Sequence, residues 1–211
     1  MTSRNPSLPV LSNPLAALAD TARLASLAML ACAEAPRPAA REAHAADLMA
    51  LAQHAAAAAH TCLERWPLAV DLADIPALLF DAAGLLHTHP HPAAPRGVLD
   101  LAHQVADAAE HLSTLMCCVS SQVTDGATDA LGAVAAARRH SRRLFDLHVE
   151  EVRCLDGDPE TTARVVEMME LLRHACDVAG QCAGASAVCV RALSPQANAP
   201  GGLHAAQAGV G

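Results

Sequence analysis

Four of the chain's arginines fall within six residues: Arg138, Arg139, Arg142 and Arg143. On a helix Arg138/Arg142 and Arg139/Arg143 are i,i+4 neighbours, so they form a positive patch of about two turns. Such a patch suits an anion: a lipid head group, phosphate, or an acidic loop of a partner. The competing reading is local neutralisation by Asp146, Glu150 and Glu151, which contributes little at a surface.

A second group has metal-ligand chemistry. Glu170 and His174 are i,i+4 neighbours that could share a metal, with Asp177 beyond them and Asp74 and Asp81 as further candidates. Carboxylate and imidazole ligands of this kind take a divalent or iron ion. Yet with Leu172 and Ala175 in an apolar seam, Glu167, Glu170, His174 and Asp177 fall on the opposite side. Ligands of a buried bundle centre project inward, so a solvated face is the plainer account. The stripe Asp100, His103, Asp107, Glu110 and His111 reads the same way. His87, His89 and His91 alternate in a Pro-rich segment. They could hold Zn²⁺ or Ni²⁺ weakly, without a fixed geometry. No G-x-S-x-G, Gly-rich phosphate loop or H-E-x-x-H occurs, so the expectation is a protein that is not an enzyme.

Helices must carry these groups. Of the 211 residues 50 are Ala, and the aromatics are only Trp66, Phe80 and Phe145. Sheets need β-branched and aromatic residues, whereas Ala and Leu are strong helix formers. The chain has 14 Arg, no Lys and a net charge of −8, which argues against a nucleic-acid partner. Eight Cys occur without a C-x-x-C pair and read as reduced core residues. Residues 1–14 lack a signal-peptide apolar region, and Leu15–Ala33 contains Asp20 and Arg23. The expected location is therefore the cytoplasm.

Pro and Gly punctuation places six helices at roughly 14–34, 39–65, 73–88, 96–121, 127–154 and 159–192. Asp158 suits the N-cap of the last and Pro159 its first position. Its apolar residues follow a heptad: Val165, Met168, Leu172, Ala175, Ala179, Cys182, Ser186 and Cys189. Only Ser186 breaks that seam. Leu15–Asp20 parallels Val98–His103 in outline, which suggests two related halves, 14–92 and 95–193. The expected fold is all-α: an elongated six-helix bundle of two three-helix halves with a pseudo-two-fold repeat. Residues 1–13 are expected to be a flexible N-terminus and 194–211 a disordered tail.

Two stretches carry a resemblance. Trp66-Pro67 precedes Asp71-Leu72-Ala73-Asp74-Ile75-Pro76-Ala77-Leu78, and Asp158-Pro159 precedes Leu171-Leu172-Arg173-His174-Ala175-Cys176-Asp177-Val178-Ala179. These resemble the PhoU-like family, in its branch of Pit-type phosphate-permease accessory proteins. There, an aromatic and Pro precede D-x-x-D-I-x-x-L, and a D-P break precedes a long helix ending in D-V-A. The resemblance spans 14–192. It implies a non-enzymatic cytosolic regulator that docks on an inorganic-phosphate permease, peripheral to the inner membrane face through that partner. A homo-oligomer is a separate expectation. The resemblance also implies E-x-x-x-D metal motifs in the second helix of each half. Here Leu48–His60 and Leu131–Phe145 contain neither Asp nor Glu. Two other functions fit the residues: a metal-storing or metal-buffering bundle using surface His and carboxylates, and a general helical adaptor.

Overall fold

The computed structural model describes residues 13–64, 66–89, 93–154 and 158–193. They form an all-α bundle of six helices: α1 Asn13–Glu34, α2 Pro38–Cys62, α3 Leu68–His87, α4 Arg96–Ser120, α5 Ala127–Cys154 and α6 Pro159–Leu193. The expectations for the remaining terminal residues lie outside the described ones. At 1.5 Å per residue the 35-residue α6 is about 50 Å long.

The Pro and Gly signals locate most boundaries closely, because Pro cannot donate to a preceding turn. The expected second helix ends three residues early, at Cys62, and the largest departure is α3, which begins five residues before the expected start at 73. Pro67 itself adopts helical angles (φ −53°, ψ −33°). The Val70 N–H bonds the Pro67 carbonyl at 3.1 Å. Pro at a helix start is pre-organised for this geometry, so the turn nucleates there and Pro76 becomes an interior residue. Asp158 caps α6 as expected, its Oδ2 accepting the Thr161 N–H at 3.0 Å.

The packing has a simple symmetry. α1, α2 and α3 all touch one another, as do α4, α5 and α6. The two groups meet through α1 on α4 and α3 on α6. Exchanging α1 with α4, α2 with α5 and α3 with α6 reproduces the same set of contacts. Thus α2 and α5 are flanking helices, each held by two members of a central quartet. This placement matters for α5, which carries the arginine run on an outer helix.

Alanine makes the quartet tight. Ala19, Ala22 and Ala25 on α1, Ala82 and Ala83 on α3, Ala108 on α4 and Ala175 on α6 are fully buried. Larger side chains such as Leu15, Met29, Leu79, Leu112 and Leu172 fill the space between them. Burying a Leu or Met side chain contributes about 1.5–3 kcal/mol. The α6 heptad is buried from Val165 through Ser186, and Cys189 is half-buried. Ser186 is tolerated because its hydroxyl donates to the Cys182 carbonyl at 2.9 Å. Gly97 of α4 allows closest approach on the other side: a Cβ there would come within 2.8 Å of His148 Cβ on α5. Pro14–Glu34 is long and apolar enough to cross a membrane by length and composition, and half of that window is buried in the bundle.

Candidate functional site: an arginine–aspartate cluster between α5 and α6

The residues of the α5 run do not act together. Arg138 and Arg142 turn towards α6 and converge on Asp177. Arg138 Nε donates to Asp177 Oδ1 at 2.8 Å, and Arg142 Nε and Nη2 donate to the same oxygen at 3.0 and 2.7 Å. The second carboxylate oxygen accepts Arg173 Nη1 of α6 at 2.8 Å. Arg173 is steadied from the other side by Phe145, whose ring centroid lies 5.1 Å from the guanidinium carbon. Gly180 clears the path for Arg138: a Cβ at that position would collide with the Arg138 Cδ.

Three expectations are corrected here. Asp177 does not project into solvent; its side chain is only 8% exposed. The heptad identifies the face of α6 turned to the quartet, but α6 also packs along α5, and Asp177 lies in that second contact. The arginines are not neutralised by the acids of their own helix. Glu150 pairs with Arg153 and Glu151 with His148, while Arg138 and Arg142 reach across to α6. The third concerns Asp100, expected on a solvated stripe. It is half-buried and its Oδ2 lies 3.0 Å from His148 Nε2.

The electrostatics of Asp177 follow from this enclosure. Burial by itself would raise its pKa. The hydrogen bonds and charges of Arg138 and Arg142 outweigh burial and hold it below the ordinary carboxylate value. The carboxylate is therefore ionised, with three N–H donors crowded on Oδ1 and one on Oδ2.

Arg139 and Arg143 point elsewhere. Both are exposed, and neither forms an ion pair among the described residues. They leave α5 with an outward positive face beside the engaged pair.

The metal candidates do not assemble into a ligand set among the described residues. Asp74, Asp81, Glu170 and His174 are exposed, and Asp177 is committed to guanidinium groups. Burial, then the neighbouring Asp71, raises the Asp74 pKa, while His174 opposes that shift. Among the described residues no group of three or more His, Cys, Asp or Glu is placed to hold a metal ion. His87 is exposed and His89 half-buried, whereas His91 lies outside the described residues.

Two buried basic residues escaped the sequence reading. His148, 2% exposed, stands between Asp100 of α4 and Glu151 of its own helix, with Nδ1 2.7 Å from the Glu151 carboxylate. Glu151 at i+3 was a visible signal, but Asp100 is 48 residues away. Arg41, 3% exposed, donates Nε to the Ala35 carbonyl at 3.2 Å and secures the end of α1. An open cleft of about 440 Å³ near that corner is lined mainly by Ala33, Ala35, Pro36, Ala94 and Leu99. Among the described residues Glu34 is its one charged lining residue.

No protein-family model matches this chain, and no curated protein matches it significantly.

Proposed function

We propose that the protein is a non-enzymatic helical docking protein, and that the partner is an inorganic-phosphate permease whose activity it regulates. The observation that carries the docking reading is the division of labour on α5. Arg138 and Arg142 anchor the helix to α6, and this fixes Arg139 and Arg143 on its outer face without acidic partners among the described residues. Guanidinium groups match the oxygens of carboxylates and phosphates bidentately, and the helix sets the spacing between the two side-chain stems. The identity of the permease rests on the resemblance of the Trp66–Leu78 and Asp158–Ala179 stretches. The assembly this implies is a cytoplasmic protein held at the inner membrane face by its partner.

Capture of the intact protein from detergent-solubilised membranes tests the proposal. A phosphate permease should be recovered with the unaltered chain, and Arg139→Glu with Arg143→Glu should abolish recovery while helicity is retained. Absence of the permease from the unaltered capture refutes the partner. Retention of the permease by the charge-reversed protein refutes the α5 face.

A further inference from the structure

The cluster around Asp177 holds more positive charge than it neutralises. Three guanidinium groups share one carboxylate, which leaves two charges uncompensated within it. Among the described residues one further acid forms an ion pair with the cluster: Glu170, 3.9 Å from Arg173 Nη2 and 62% exposed. Arg138 and Arg142 both bond one oxygen, so their Nε atoms lie less than about 6 Å apart, where like charges repel appreciably unless screened.

The unused donors lie on the outer side. Side-chain exposure rises from 8% at Asp177 to 24% at Arg173, 32% at Arg138 and 52% at Arg142. The carboxylate is the floor and the guanidiniums are the rim. Among the described residues no acceptor faces Arg138 Nη1, Arg138 Nη2 or Arg142 Nη1. The rim is also rigid for a surface site. Asp177 fixes each Nε or Nη it bonds, Phe145 stacks on Arg173, and the Arg138 stem lies across Gly180. Arginine forks set in place beforehand can pair bidentately with the oxygens of a tetrahedral oxyanion, which has enough acceptors for several forks at once.

We propose that Arg138, Arg142 and Arg173 form a binding site for a phosphate group, seated over Asp177 in the groove between α5 and α6. The site deepens the docking reading but is separate from its contact face, because it uses the α6-facing arginines rather than Arg139 and Arg143. The phosphate comes either from solution or from a phospholipid head group, and the same donors serve both.

Binding is measured by calorimetry and by thermal midpoint with inorganic phosphate, against sodium chloride at equal ionic strength. Flotation with phosphatidic acid vesicles, compared with phosphatidylcholine vesicles, forms the second arm. The expected result is a phosphate-specific rise in midpoint, or flotation dependent on phosphatidic acid. The first outcome assigns free phosphate and the second a head group. Arg142→Gln, at the most exposed of the three, should weaken binding about tenfold or more. Arg153→Gln, an exposed position about three turns further along α5, should leave binding unchanged. If neither phosphate source binds better than its control, or if Arg142→Gln binds as the unaltered protein does, the site is refuted. Permease capture that survives such a failure leaves the docking reading standing, because that reading depends on the other two arginines.

Discussion

Replacing Asp177 by Asn probes the structural half of this arrangement most directly. The substitution keeps the shape and removes the charge to which three guanidiniums are bound. Hydrogen bonds to a charged group contribute about 1.5–3 kcal/mol each when measured singly. They do not add here, because one carboxylate serves all of them. Arg142, 52% exposed, recovers much of its loss by returning to water. Arg138 and Arg173, at 32% and 24%, recover less. The expected destabilisation at neutral pH is about 2–3 kcal/mol, below the usual cost of breaking a fully buried ion pair. For a chain of this size it lowers the thermal midpoint by about 5–10 °C. Thermal and urea unfolding, followed by circular dichroism, provide the measurement. The pH dependence provides an internal control. The folded-state pKa of Asp177 is depressed, so its stabilisation is present above the unfolded carboxylate value of about 3.9. It is lost as pH falls through the folded value. The gap between the two proteins should therefore be full at pH 7 and shrink at pH 3 and below. A midpoint change under about 1 °C at pH 7, or a gap independent of pH, would show that the cluster is not a stabilising contact.

Two further outcomes follow from other buried groups. His148→Ala should lower stability by about 2–3 kcal/mol in urea unfolding, because it empties a packed site and takes a partner from Asp100 and Glu151. A loss below about 0.5 kcal/mol would show that the α4–α5 contact does not depend on that ring. Burial pushes the thiols of Cys176 and Cys182 up to about 12. In the native protein at pH 8 both should resist a thiol reagent that labels the exposed Cys117 and Cys154, and should react once denatured. Rapid native labelling of Cys176 would contradict the α6 packing.

Much of the fold was legible because helix periodicity and Pro placement are local. The α6 heptad and the Asp158-Pro159 start both hold in three dimensions. The start of α3 was misplaced for an equally local reason: Pro67 reads as a break, yet Pro also suits a first turn. The site was less legible. The arginine run was visible, and so was Asp177, but nothing in their spacing joins residues 39 positions apart. A seam read from one helix marks one packed face, whereas α6 is packed against three neighbours.

The sequence by itself therefore determined the class of structure and its elements. Ala and Leu content selects helices, and Pro and Gly divide them, through backbone energetics that each segment experiences alone. It also determined that four arginines would share two turns of one helix. Only the tertiary structure decided which two of them would be anchored on Asp177 and which two would have no ion pair among the described residues. That choice depends on the rotation of α5 against α6, on the missing side chain of Gly180, and on a carboxylate whose burial is tolerable only because guanidinium groups meet it there. Charge pairing between distant segments depends on three-dimensional distance, and packing sets that distance.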